Sequence, residues 1–488
     1  MILNNKPMHP APLLVVVANF DTNGNGINDY DENHPEKLTD KTSDIFGEQW
    51  AFSTKEEVYD KFFGAENSLG AYYKELSHDI FWYYPAKIDH PDENTLEEGV
   101  VFVNVNEPHP SALRNLEGYT NETAAQKVIA DIVKACDPYV DFAKYDSDGD
   151  GIVRPTDISI VILNAGFDAS SAEQDNEFSK VKGENGPLPS HRYMVHGTSQ
   201  STEVEMRGGV KVVRVSNMGE YRSMKSGLMT IGTPAHELAH NLGAQDMYSR
   251  WTPPADAEKR WPTPRRFTLM CSGSHLDEGN TPSYLDPYHR VYFGWAEETI
   301  ADKDGIYTAH STLSGKYNVL KVTTPNPNEY FICEVRLKEG YDKYIDGNPD
   351  TKGGILVWHI DEKINEEWFL KAQCVSSNRP NGKRHDLGNA IRPRQGLEKV
   401  TDEKGNFIKY GPLYADDGGV YDPFFYHSND EETSTFKSEL YCGAASLSYS
   451  INEFPEGVSE NFKVHIEVLD EPGNEMRIKV QKFNVKTD

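Results

Sequence analysis

Apolar runs along this chain are short, and their spacing changes near its middle. Leu13 to Phe20 is a Leu- and Val-rich run closed by an Asp/Asn/Gly loop, which predicts a buried strand. Ser68 to Leu76 predicts a helix, and Ile80 to Tyr84 an aromatic strand. The clearest amphipathic helix is Asn121 to Ala135, where Ala125, Val128, Ile129, Ile132 and Val133 share one face. Ile158 to Leu163 predicts a β-branched strand, and Val210 to Val215 a further one at a sheet edge. Pro234 to Leu242 predicts a helix stopped by Gly243, with Thr233 as N-cap and Pro234 at the first helical position. Strands and helices are mixed up to about residue 300, which predicts an α/β or α+β half.

From Gly305 onward the pattern becomes short strand-like runs parted by Asn, Gly, Pro and Asp turns. Tyr330 to Val335, Gly354 to Ile360, Phe462 to Val468 and Met476 to Val480 are the clearest. That half reads as an all-β sandwich. A length of 488 residues is too great for one ordinary core. The expected division is therefore 1–300 and 301–488.

Composition narrows the partners. Hydrophobic residues make up 37% and aromatics 11%, enough to build cores and to exclude wholesale disorder. The net charge of −28 repels phosphate backbones and argues against nucleic acid. Some of the excess carboxylates are expected to bind cations. The five cysteines, Cys136, Cys271, Cys333, Cys374 and Cys442, are scattered and form no CxxC pair, so neither a disulfide framework nor a thiolate zinc site is expected. The run Leu13 to Ala18 is too short to span a bilayer and lacks the flanks of a signal peptide. No membrane-spanning segment is expected.

The chemistry concentrates in His236-Glu237-Leu238-Ala239-His240-Asn241-Leu242-Gly243-Ala244-Gln245-Asp246. Histidines four apart on a helix face the same way and can grip one cation. Zinc favours such nitrogen ligands and needs a third protein ligand, which leaves a position for water. Gly243 can take a positive φ, so the chain can leave the helix and fold back to bring Asp246 to the same ion. Glu237 is then free to act as general base. A bare HExxH also arises by chance on a solvated helix; the added Gly and acidic residue at fixed spacing separate this segment from that alternative.

The HExxHxxGxxD pattern resembles the zinc signature of the immune inhibitor A family of metallopeptidases, a metzincin-like group. Other stretches resemble that family in the same order: Asn67 to Leu76 with its paired tyrosines, Phe142 to Gly166, the methionine-containing turn Thr268 to Ser274, and Tyr292 to Trp295. Asn328 to Arg336 and Gly353 to Asp361 resemble its C-terminal β region, and the likeness is weakest after about residue 375. The resemblance implies an α+β chain with a zincin or metzincin-like catalytic domain followed by the sandwich-like domain. It also implies Met270 as an apolar floor beneath the metal, and a secreted or cell-surface location.

Two segments fit calcium loops. In the first, Asp146, Asp148 and Asp150 can converge, Gly151 gives the sharp turn, the Ile152 carbonyl can ligate and Asp157 closes the site. It departs from the usual loop at Arg154, which cannot ligate. The second is Asp21, Asn23, Asn25, Ile27, Asp29 and Glu32, where Asn-Gly pairs also make plain turns. His191, His196, His275 and His289 flank the zinc segment and read as surface or hydrogen-bonded histidines, and Tyr284 and Tyr288 as packing residues. The expected activity is zinc-dependent hydrolysis of peptide bonds in protein substrates. The alternatives are a catalytically inactive, calcium-stabilised surface binding protein and a zinc hydrolase of a non-peptide amide.

Overall fold

A strand with no polar face can only lie inside a sheet covered on both sides, and all ten side chains of Ala11–Phe20 are buried. The computed structural model describes residues 9–20, 53–107, 121–168, 194–195, 197–223, 227–247, 265–325, 327, 329–345, 352–361, 399–401, 407–410, 446–450 and 462–484. Within them the first sheet holds nine strands: β1 (Ala11–Phe20), β2 (Tyr83–Pro85), β3 (Val100–Val105), β4 (Ile152–Val153), β5 (Ser159–Asp168), β6 (Met194–Val195), β7 (Thr198–Glu205), β8 (Lys211–Ser223) and β9 (Gly227–Leu228). The path runs β2-β1-β5-β8-β4, and β1, β5 and β8 are mutually parallel. The strand expected at Val210 to Val215 is part of β8, which is interior rather than at an edge: β5 pairs with it in parallel and β7 antiparallel.

Alternation along the central strands separates two cores. Leu13, Val15 and Val17 join Val161 and Leu163 on one face, whereas Leu14, Val16 and Ala18 join Ile160 and Ile162 on the other. Among the described residues five helices accompany the sheet: α1 (Lys55–Phe63), α2 (Leu69–Leu76), α3 (Asn121–Ala135), α4 (Gly232–Leu242) and α5 (Pro287–Tyr292). α3 covers the second core with Val128, Ile129, Ile132 and Val133. α1, α2 and α4 cover the first. α1 opens on a capping box, with Thr54 accepting from the Glu57 amide and Glu57 from the Thr54 amide. The strand expected at Ile80 to Tyr84 shortens to β2. The Ser77 hydroxyl bonds both the amide and the carbonyl of Phe81, and His78 and Asp79 take left-handed backbone, so residues 77–81 form a turn.

The second sheet comprises β10 (Glu297–Ala301), β11 (Gly305–His310), β12 (Asn318–Thr323), β13 (Glu329–Leu337), β14 (Gly353–Asp361), β17, β18 and β19, where β15 (Lys399–Thr401) and β16 (Phe407–Tyr410) stand apart as a pair. Here β17 is Ser446–Ser450, β18 Phe462–Val468 and β19 Glu475–Asn484. The group β10-β12-β13-β14 meets the group β11-β19-β18-β17 through the single pair His310 and Asn318. Leu320, Val322, Phe331, Cys333, Ile355 and Val357 of the first group share a core with Val464, Ile466, Ile478 and Val480 of the second. The opposite faces of β12, β13 and β14, carrying Val319, Ile332, Leu356 and Trp358, belong to the same core as α2 and α4. The chain is thus mixed α+β with two large sheets, and one core is continuous across residue 300. Among the described residues no helix is long and apolar enough to cross a membrane. Cys136, Cys271 and Cys333 are buried; Cys374 and Cys442 lie outside the described residues.

A buried charge network crosses this seam. Arg336 of β13 bonds Asp342 (Nε to Oδ2 2.6 Å, Nη2 to Oδ1 3.0 Å), Glu334 (3.0 Å) and the Phe267 carbonyl (3.1 Å). Glu334 also accepts from Trp358 Nε1 at 2.9 Å and Tyr317 Oη at 3.0 Å. Arg290 of α5 lies over the Tyr317 ring at 3.6 Å and donates to the Leu76 carbonyl and Thr312. Arg336, Glu334 and Asp342 are each at most 1% exposed. A cation at such depth is stabilising only while its partners remain, so removing one partner leaves charge buried without compensation. Arg336→Met, of similar length, leaves Glu334 and Asp342 facing each other and should lower unfolding stability by about 3–5 kcal/mol. The check is the midpoint of urea unfolding; a midpoint equal to the parent's would remove this network as a source of stability.

Candidate metal centre

α4 follows directly from the β8–β9 strands and is pinned on several sides. Asn241 donates to Ser216 of β8 at 3.0 Å and accepts from Ser199 of β7 at 2.6 Å. Tyr73 of α2 donates to the Ala235 carbonyl at 2.6 Å. The helix starts earlier than its capping pattern predicts. Ile231, not Thr233, is the N-cap, and Gly232 is the first helical residue. A close contact distant in sequence restricts this first position to glycine: a Cβ on Gly232 would lie 1.9 Å from the Ser274 carbonyl oxygen. Pro234 then sits in the first turn, where its missing N–H costs nothing.

The helix ends as expected. Gly243 has φ 105°, its amide bonds the His240 carbonyl at 3.0 Å, and the Ala244 amide returns to the Ala239 carbonyl at 2.9 Å. This reversal also orients the His240 ring, because the Ala244 carbonyl accepts from His240 Nδ1 at 2.8 Å. His236 Nδ1 donates to the Leu269 carbonyl at 2.9 Å. A carbonyl can only accept, so both Nδ1 atoms carry hydrogen and both Nε2 atoms are left to face the site.

The two Nε2 atoms converge on one oxygen, Asp246 Oδ1, at 3.2 Å from His236 and 3.1 Å from His240. The imidazole rings are 4.8 Å apart at 87°. The donor atoms of His236, His240 and Asp246 all lie within 4.8 Å of one another, so this buried group can hold a metal ion. The donor set, two imidazoles and a carboxylate, suits zinc with a position left open. The carbonyl partners behind each imidazole are the outer support such ligands need. Asp246 is flanked by two main-chain tethers, Gln245 N–H to His289 Nε2 at 3.1 Å and Met247 N–H to the Met270 carbonyl at 2.7 Å.

Charge is balanced inside the site. Burial disfavours a charged His236, but the hydrogen bond to Asp246 and the charges of Glu237 and Asp246 outweigh it and raise its pKa to about 9. Burial likewise works against the Asp246 carboxylate, yet the two imidazoles hold its pKa far below the usual range. Glu237 is 7% exposed and close enough for its charge to act on His236. Met270 is fully buried in the core beneath α4.

The remaining expected residues divide. Asp146, Asp148 and Asp150 bring their carboxylates together. Asp157 stands outside that group, with Oδ2 accepting from the Arg154 amide at 2.8 Å. Arg154 folds back over the loop, donating to the Ile152 carbonyl at 3.2 Å and to Asp150 at 2.5 Å. Asp21, Asn23, Asn25, Ile27, Asp29 and Glu32 lie outside the described residues, as do His191 and His196. His275 is exposed, and Tyr284 directs its hydroxyl at Glu75 rather than toward the site. His289 is buried and bonded to Asp286. The sequence did not single out Leu269, Asp286 or Asn241; none stands at a ligand spacing, and a hydrogen bond to a distant carbonyl leaves no pattern in sequence. The chain matches no protein-family model and no curated protein.

The raised His236 pKa has a pH consequence with a definite sign. An unfolded histidine titrates near 6.5, so the His236–Asp246 pair stabilises the metal-free fold fully below about pH 6.5 and is lost as pH rises through about 9. A metal ion needs the neutral imidazole and must displace that proton. Apparent zinc affinity should therefore rise about tenfold per pH unit between about pH 6.5 and 8.5, with one proton released by His236. Competition with a chromophoric chelator measures it, and calorimetry in buffers of different ionisation enthalpy counts the protons. An affinity flat across that range would contradict the protonated resting state.

Proposed function

We propose that this protein is a zinc-dependent endopeptidase, with His236, His240 and Asp246 as metal ligands and Glu237 as general base. What supports the reading most is the convergence of three donors on one spot, with Nδ1 of each imidazole tied to a carbonyl and Glu237 adjacent on the same helix. The sequence resemblance to immune inhibitor A-like metallopeptidases directs the choice of substrate toward protein, and with it a metzincin-like catalytic half, a sandwich-like C-terminal half and a secreted or cell-surface location. Zinc held there would supply Lewis-acid chemistry, acidifying a water and polarising the scissile carbonyl. Glu237 accepts the proton of the attacking water on a carboxylate oxygen and returns it to the nitrogen of the departing amine. The low exposure of Glu237 and His236 keeps bulk water from competing for that proton. Met270 contributes a non-polar floor and no chemistry.

Glu237→Gln keeps the size of the side chain and removes its basicity. Zinc content should be unchanged while casein hydrolysis falls by about 10²–10⁴. A variant that cleaves at the parental rate would remove Glu237 from the mechanism. A parent that holds zinc yet cleaves no protein would instead favour a non-peptide amide substrate or a calcium-stabilised binding protein. Asp246→Ala should lose most zinc on dialysis.

We read Asp146, Asp148, Asp150, the Ile152 carbonyl and Asp157 as a calcium loop that stabilises the catalytic half. Arg154 engages two of those groups, so an incoming ion has to displace a guanidinium. Calcium should therefore raise the melting temperature of the parent. Arg154→Gln should bind calcium several-fold more tightly, and Asp148→Ala should lose the calcium-dependent rise. Calorimetry and thermal melts with and without calcium measure both; an Arg154→Gln affinity equal to or below the parent's would count against the loop as an ion site.

A further inference from the structure

Asp246 is the one proposed ligand that α4 does not carry, because the chain has left the helix at Gly243. Its position therefore depends on what grips the residues beside it. On one side, Met247 N–H donates to the Met270 carbonyl at 2.7 Å. On the other, Gln245 N–H donates to His289 Nε2 at 3.1 Å. An amide N–H can only donate, so His289 Nε2 must present a lone pair and its proton must sit on Nδ1. Nδ1 lies 2.8 Å from Asp286 Oδ2, which is suited to accept that proton.

The chain of bonds continues. Asp286 caps α5 by accepting the His289 amide at 3.0 Å, which fixes the ring's own backbone. Its Oδ2 also accepts from the Thr268 hydroxyl at 2.9 Å, and the Thr268 oxygen accepts from the Met270 amide at 3.2 Å. Met270 thus joins the circuit by both its amide and its carbonyl. The path Gln245–His289–Asp286–Thr268–Met270–Met247 begins and ends on the two neighbours of Asp246. Its three side chains are buried: His289 is 2% exposed, and Asp286 and Thr268 are at 0%.

We infer that His289, held by Asp286 and Thr268, is a positioning residue that presents the Asp246 carboxylate to the metal without touching the ion. This rests on His236, His240 and Asp246 being a zinc site. Its specific content is an acceptor at Nε2; a histidine that served only to fill the core and stack on Phe293, 6.2 Å away between ring centres, would need no acceptor.

The test compares His289→Phe, which keeps an aromatic ring without an acceptor, with His289→Gln, whose amide oxygen can stand where Nε2 stands. Zinc dissociation constants are measured by chelator competition, beside the urea stability of each metal-free protein. His289→Phe should bind zinc about 10–100-fold more weakly, the usual cost of losing an outer support. His289→Gln should recover most of that affinity even where both variants lose similar stability. The visible absorption of the cobalt(II)-loaded protein should move in His289→Phe and stay near the parent's in His289→Gln. If His289→Phe does not fold, Thr268→Val breaks the same circuit with little change of shape, and weaker zinc binding is again expected. Equal zinc affinity in His289→Phe and the parent, equal weakening in the Phe and Gln variants, or an unaffected Thr268→Val variant would overturn the inference. A parent that binds no zinc would overturn the metal-centre reading and this inference with it, so the two failures are distinguishable.

Discussion

Two successive carbonyl groups, those of Leu269 and Met270, take N–H groups from opposite sides of the candidate metal centre. The first accepts from the His236 ring and the second from the Met247 amide. Because the peptide unit between them is planar, these two carbonyls tie His236 on α4 to the segment that carries Asp246 beyond it. The helix alone relates His236 to His240. This turn, with the reversal at Gly243 and the Gln245–His289 contact, relates both to Asp246. A Cα–Cβ bond at Gly232 or Gly273 would close the space that the turn occupies, since it would meet the Ser274 carbonyl oxygen at 1.9 Å and the Thr268 carbonyl oxygen at 2.3 Å respectively.

The turn is in turn supported from the C-terminal half. Arg336 of β13 donates to the Phe267 carbonyl, one residue before Thr268. The Leu269 amide donates to the Tyr284 carbonyl at 3.1 Å, and the Tyr284 amide to Asp342 at 3.0 Å. The buried ions of the seam therefore lie within two hydrogen bonds of the loop that carries Leu269 and Met270. This gives the second sheet a physical part in the site although it contributes none of the proposed ligands. An ion network at such depth is costly to desolvate, and its geometric specificity offers a reason for its presence where an apolar seam of the same volume would suffice for cohesion.

How much of this was legible in the sequence follows from how far apart the cooperating residues stand. The histidine pair, the glycine stop and the returning aspartate lie within eleven residues of each other, so local geometry suffices to bring the three side chains together. Periodicity likewise marked α3 to its ends. The first turn of α4 departs from its capping pattern, starting at Gly232 rather than Pro234, and its closest packing constraint, Ser274, stands forty-two residues away. β8 was assigned to an edge because its flanking partners β5 and β7 leave no mark on its own alternation. α1 was overlooked although Thr54 and Glu57 form a local capping box; that signal was present in sequence. In sequence His289 reads only as a surface or hydrogen-bonded histidine and Thr268 only as part of the methionine-containing turn, because their link through Asp286 to Gln245 depends on contacts distant in sequence.

Before any ion enters, the centre already holds its donors close through the charged pair of His236 and Asp246. Such an arrangement has two opposed effects. It keeps the carboxylate and imidazoles near their binding positions, so the entropy of ordering them belongs to folding rather than to metal capture. It also places a proton where the ion must go, since the same carboxylate that orients His236 raises its affinity for hydrogen. The balance is set by burial. In water an exposed pair of this kind would hold the proton weakly and the geometry loosely. Here, with Asp246 8% exposed and His236 equally so, both effects are strengthened together. A divalent ion held there would have to take the place of that proton, and would then have both Nε2 lone pairs and the carboxylate as its donors.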